Sequence, residues 1–293
     1  MLKIIDTYSK LNTLFENQTF CPKKWEAYMN SVYDNSADIF KKDMNICFDG
    51  KDNSYENDVL PILNAVHKNP ALELLHNSFC KVTDGLNERI VDSFGKELDM
   101  DIVLYVGLCN GAGWVTNING RDVVLLGIEK ILELNWYDED SMYGLIYHEL
   151  GHVYHKQYGT FWQDSEDNKQ KFVWQLFTEG IAMYFEQVLV KNFNYYHQDR
   201  KGWKEWCDTH FHQIVMDFTA DLPKMTRENQ TYFGDWVKYH GLGDVGYYLG
   251  TRFVQHLLKQ HSFEQLIHMK IEDVYKEYIT FAAHCGKRKE NNK

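Results

Sequence analysis

No stretch of this sequence is long and apolar enough to span a bilayer. The longest such run, Phe172 to Val190, is broken by Gln175, Glu179, Glu186 and Gln187, whereas a span needs about 20 predominantly apolar residues. The opening Met1-Leu2-Lys3-Ile4-Ile5-Asp6 lacks the apolar run of a secretory signal. Basic charge is in deficit. The 31 Lys and Arg face 42 Asp and Glu, for a formal net charge of −11, which argues against a nucleic-acid or anionic-membrane partner. The 6 cysteines (Cys21, Cys47, Cys80, Cys109, Cys207, Cys285) include no C-x-x-C pair. In a chain this long that pattern predicts reduced, mostly buried thiols in a cytoplasmic protein, with a disulfide framework or a cysteine zinc site as the alternatives. Internal repeats and low-complexity tracts are also missing. What the chain does hold is 44% hydrophobic and 15% aromatic residues over a length of 293. That suffices for a sizeable core, in one large domain or two modest ones.

From Leu2 to about Gly95 the apolar spacing is helical, as in Trp25, Met29, Tyr33 and Ile39. Pro22, Pro61 and Pro70 stand where helices can begin, and 49–54 is a polar loop. The character changes near Met100. Asp101–Leu108, Trp114–Ile118 and Asp122–Gly127 are short and β-branched, and Asn119-Gly120 predicts a hairpin between the last two. A short helix over 129–134 follows. Tyr137–Ser141 then supplies capping and acidic residues for a helix that runs to about Gln157, with Gly159 as its stop.

That helix carries Tyr147-His148-Glu149-Leu150-Gly151-His152, an H-E-x-x-H motif. Histidines four apart on a helix leave from one face, so two ring nitrogens can reach one zinc ion. Glu149 lies about 100° round the helix, within reach of a water on that ion. A plain amphipathic helix with solvated histidines is the alternative. A catalytic zinc site needs a third protein ligand. His155 would sit about 10 Å along the axis from His148, too far to converge with it, and reads as a supporting or surface histidine. The longer H-E-x-x-H-x-x-G-x-x-H pattern also fails, because His155 and Tyr158 occupy its Gly and last His positions. Phe172–Glu186 is apolar nearly all round and reads as a buried helix. Glu179, in its middle, needs a compensating cation, either zinc or a Lys or Arg. Gly180 and Ala182 are small enough to let this helix approach the motif helix. Glu186 is a weaker choice, a partner for a histidine N–H. The segment 158–171 reads as a surface loop, either a lid or a plain connector.

H-E-L-G-H followed by Thr178-Glu179-Gly180-Ile181-Ala182-Met183-Tyr184-Phe185-Glu186 resembles the gluzincin class of zinc metallopeptidases. In that class two histidines come from one helix and a glutamate from the next. With Gly246-Tyr247-Tyr248-Leu249-Gly250, the set is similar to an uncharacterised bacterial family of predicted zinc-dependent proteases, over about residues 100–260. Two patterns of better-known relatives are absent. Met183 stands where thermolysin-like enzymes place an aspartate, and the G-x-M-E-N exopeptidase motif is missing. The resemblance implies an α+β, mostly helical, zincin-like fold with a small mixed β-sheet before the H-E-x-x-H helix and a helical C-terminal lobe. It reads as a single catalytic unit over 1–293, with sub-regions 1–98, 99–160 and 161–293. It implies zinc on His148, His152 and Glu179, Glu149 as general base, and Tyr247 or Tyr248 at the oxyanion, against a reading of that tyrosine as core. The implied reaction is hydrolysis of a peptide or protein substrate, with the strand near 111–118 available to pair with it. The alternative function is an inactive zincin-like zinc-binding module acting as a partner or regulator. Beyond these motifs, Trp203, Trp206, Phe211, Ile214, Val215 and Phe218 are expected in the core, and 239–244 forms a turn with Asp244 as an N-cap. Arg252 and His256 lie on one stripe, solvated or facing a substrate carboxylate. The charged tail 287–293 is expected to fray.

Overall fold

Backbone pairing near the N-terminus departs at once from the helical expectation. In a computed structural model describing residues 1–48, 54–234 and 237–287, Lys3–Asp6 is a strand (β1). A minimal hairpin, Phe15–Glu16 (β2) and Thr19–Phe20 (β3), follows. The expected loop at 49–53 and the tail from 288 onward lie outside the described residues, as does the side chain of Cys47. The chain is mostly helical with a small mixed sheet. Its contacts divide it into Met1–Glu149 and Leu150–Lys293. The division falls within a continuous helical run.

In the first unit, helices α1 (Pro22–Val32), α2 (Ser36–Phe48), α3 (Leu60–Ala65), α4 (Leu72–Thr83) and α5 (Leu86–Phe94) precede β4 (Met100–Tyr105), β5 (Gly113–Ile118) and β6 (Arg121–Gly127). The sheet order is β1-β4-β6-β5. β1 and β6 flank β4 in parallel, while β5 runs antiparallel to β6 on the edge. β4 is buried along its whole length and β6 nearly so, as strands with neighbours on both sides should be. Asn119 and Gly120 both adopt positive φ, 53° and 83°. That is the two-residue turn whose twist suits a hairpin, and it closes Ile118 against Arg121. α6 (Ile128–Leu134) and α7 (Glu139–Tyr143) complete the unit.

The turn after β4 is held by a buried acid. Glu129 accepts the N–H of Gly107 at 2.9 Å and of Cys109 at 3.0 Å. Burial pushes its carboxyl from 4.5 up to about 7. A folded-state value above the unfolded one makes the contribution complete below about pH 4.5 and lost as pH rises through 7. Wild type should therefore lose about 3 kcal/mol relative to Glu129→Gln between pH 5 and 8, read from denaturant midpoints at the two pH values.

α8 (Glu149–Tyr158) leads into the second unit, which holds α9 (Asn168–Val190), α10 (Trp203–Asp221), α11 (Val245–Leu257), α12 (Phe263–Ile267) and α13 (Ile271–Lys287); α11 and α13 pack against the long, largely buried α9. Small residues set two helix crossings. A Cβ on Gly151 would stand 2.6 Å from the Cα of Ala182, so α8 and α9 touch there, as expected for Ala182. Gly180 instead serves α11, since a Cβ on it would meet the carbonyl oxygen of Gly250 at 2.3 Å. Trp203, Ile214, Val215 and Phe218 are buried, whereas Trp206 and Phe211 are half-buried. The turn at Tyr239–Leu242 forms. Asp244 does not cap α11 with its side chain; its Oδ1 accepts the N–H of Gly234 at 3.0 Å. Among the described residues no helix is long and apolar enough to cross a membrane. The described cysteines are free thiols, but only Cys207 is buried, so the expectation of mostly buried thiols fails. Their spacing carried no information about exposure.

Candidate metal centre

Asp138 starts the motif helix by accepting the N–H of Ser141 at 2.8 Å on Oδ1. The run then widens into a π-helical turn, Gly144–His148, before α8. Such turns shift the register of the side chains that follow. Leu145 lies against Gly113 of β5, where a Cβ would come within 2.8 Å of Leu145 Cδ2. Tyr147 anchors the turn from behind: its hydroxyl donates to the carbonyl of Val82 at 2.8 Å and accepts from Arg89 at 2.8 Å. Ile146, Leu150 and Val153 are buried.

His148 closes the π-helical turn and is buried. One turn on, Nε2 of His152 lies 3.2 Å from Oε2 of Glu179 on α9. Donor atoms of His148, His152 and Glu179 all lie within 4.8 Å of one another. Four ligands at about 2.0–2.1 Å in tetrahedral array sit about 3.3 Å from each other, so the His152–Glu179 spacing suits a zinc ion. Two neutral nitrogens and one carboxylate are also the donor set of a catalytic zinc. These residues can hold a metal ion. The Glu179 side chain retains 15% of its exposure and His152 19%. Glu179 is therefore not the wholly buried carboxylate that the apolar pattern predicts; its side chain keeps some contact with solvent.

His155 is not a surface residue. It is fully buried among Phe161, Trp174 and Phe177. Burial pushes its pKa from 6.5 down to about 3, so it stays neutral as a core ring.

Glu186, two turns beyond Glu179, is completely buried, and His197 Nδ1 lies 2.9 and 3.0 Å from its two oxygens. His148, Glu186 and His197 form a second grouping of potential ligand atoms within 4.8 Å. The expectation that Glu186 engages a histidine therefore holds, and the histidine at hydrogen-bond distance is His197. That residue follows α9 in an irregular segment where no periodicity singles it out. Tyr247 lies beside it, with ring centroids 6.5 Å apart. Tyr248 is buried and donates to Asp208 at 2.7 Å. Burial, reinforced by that bond, pushes its hydroxyl far up, so it is a structural donor.

The segment 159–167 is a pinned connector. Thr160 N–H donates to the Ile267 carbonyl at 2.8 Å and its hydroxyl to that of Met269 at 2.9 Å. Gln163 bonds both Met269 and Ile271. Phe161 sets its ring edge-on to His152, 6.0 Å away. Arg252 is not a spare anion receptor: it donates to Asp208 and to the hydroxyl of Tyr248 and covers Phe211. No protein-family model, no curated protein and no solved structure matches this chain.

Proposed function

We propose that this chain is a zinc-dependent peptidase of gluzincin type with a zincin-like active site. The observation that carries the proposal is the convergence of His148, His152 and Glu179 donor atoms to within 4.8 Å, on the spacing an H-E-x-x-H helix needs. Zinc held by these three would supply Lewis acidity and a water that ionises near neutral pH. Glu149, at the first turn of α8 and only half-buried, takes the proton of the attacking water and returns it to the leaving amine. Tyr247 donates its hydroxyl to the oxygen that becomes negative at the scissile carbonyl. Its place beside His197, and the engagement of Tyr248 by Asp208, favour Tyr247 over its neighbour. Strand β5 is an edge of the sheet and runs past Leu145 at Gly113, so an extended peptide can add to it by main-chain bonds. The free thiols among the described cysteines are compatible with a cytoplasmic site of action.

The test joins metal analysis to a digest of a broad peptide library. Purified protein should carry zinc and cleave peptides, and Glu179→Ala should lose both. Zinc bound with no cleavage anywhere in the library would replace the enzyme by a zinc-binding module. A protein that takes up no zinc would refute both.

A further inference from the structure

A second, unrelated set of metal-ligating side chains lies in the first unit. His76 and Cys80 are four apart on α4, so both leave the same face one turn apart. Asp6, the last residue of β1, meets them there. Its Oδ2 is 2.6 Å from His76 Nε2, and Cys80 Sγ is 3.5 Å from the same nitrogen. One ligand atom from each residue falls within 4.8 Å of the others.

We infer that Asp6, His76 and Cys80 form a site for a thiophilic divalent cation such as zinc, distinct from the His148–His152–Glu179 grouping and independent of the reading given to it. Bonds of about 2.3 Å to sulfur and 2.0 Å to nitrogen at a tetrahedral angle place those atoms about 3.5 Å apart, which is the observed spacing of Sγ and Nε2. The Asp6–His76 spacing is shorter than a tetrahedral pair needs, and a movement of under about 1 Å by the exposed carboxylate opens it. Both acceptor sites of Asp6 are already oriented, because its Oδ1 accepts the N–H of Tyr8 at 2.9 Å. The ring of Tyr8 stacks flat on His76, with centroids 3.8 Å apart and planes 1° from parallel, which fixes the imidazole. Sulfur converging on an oriented imidazole and carboxylate selects zinc and its neighbours over calcium or magnesium. The Asp6 oxygen and the Cys80 sulfur meeting at one nitrogen also argue against a Cys-His-Asp nucleophile, in which thiol and acid contact opposite ring nitrogens. On binding, the thiol proton goes to buffer, and the imidazole gives up any proton on Nε2 to solvent and holds its single remaining proton on Nδ1. The ion would then tie edge strand β1, which is hydrogen-bonded to β4 alone, to the helix beside it.

Cobalt replaces zinc and reports sulfur ligation by a thiolate-to-metal absorption in the near ultraviolet. Such a band cannot come from two histidines and a glutamate. Full-length protein titrated with cobalt should show it, His152→Ala should retain it, and Cys80→Ser and His76→Ala should each abolish it with the loss of one metal equivalent. Cys80 is exposed and His76 partly so, so these variants are expected to fold, and far-ultraviolet circular dichroism checks that they do. Absence of the band from wild type, or its survival in Cys80→Ser, overturns the inference. Loss of peptidase activity in His152→Ala with the band intact separates the two sites.

Discussion

Glu149→Gln should bind as much zinc as wild type and hydrolyse peptides about 10²–10⁴-fold more slowly, the usual contribution of a positioned general base. Gln keeps the length and shape of the side chain, and the residue opens α8 without belonging to the His148, His152 and Glu179 grouping. The ligand atoms are thus untouched, while the group that can hold a proton is gone. The loss should appear in kcat, with KM little changed, because the missing interaction arises only as the proton moves. Tyr247→Phe should cost up to about 10²–10³-fold in kcat, the range for a single oxyanion donor, again without metal loss. A Glu149→Gln protein with full peptidase activity would remove the base assignment, whatever the zinc content.

The next largest effect is expected at a position that touches no substrate. In Gly180→Ala the added methyl would stand 2.3 Å from the oxygen and 2.5 Å from the carbonyl carbon of Gly250. Both are backbone atoms, so no side chain can rotate away and α9 and α11 must separate. The same crossing is tight from the other side, where a Cβ on Gly250 would meet the carbonyl oxygen of Leu176 at 2.3 Å. Overpacking typically costs 1–3 kcal/mol and more where nothing yields, so a fall in Tm of about 10 °C is expected. Zinc affinity should fall with it, since Glu179 is the preceding residue on α9. Gly286→Ala is the control. Its methyl would find only Met216 Sδ at 3.8 Å, and replacing a helical Gly by Ala should then be neutral or stabilising by up to about 1 kcal/mol. Calorimetry of the two variants side by side decides the matter, and equal Tm values would mean that the crossing is far softer than its distances say.

Features that were readable in the sequence owe it to local causes. Asn119-Gly120 announces its turn because few residues accept positive φ twice in succession. The three strands between Met100 and Gly127 stand out as β-branched runs between turn residues. The H-E-x-x-H spacing fixes the face of a helix whatever surrounds it. The features that stayed hidden depend on distant parts of the chain. β1 is four residues long, and its pairing with Ile102 and Val103 leaves no local trace. Gly180 is small in the sequence for a reason that only Gly250 supplies. Glu179 looks fully buried because its neighbours along α9 are apolar, although its own side chain keeps some exposure. His197 lies outside any periodic segment, and only the folded chain brings it to Glu186.

The hydrogen bonds of Thr160 and Gln163 to the backbone at Ile267, Met269 and Ile271 bear on timing. A stretch stitched down at both ends of its central turn does not swing like a hinged flap. If the chain hydrolyses peptides as proposed, Phe161, between those two anchors, keeps its ring edge-on to His152 throughout the cycle. Turnover would then wait on bond breaking or on departure of the fragments and not on a swing of this stretch.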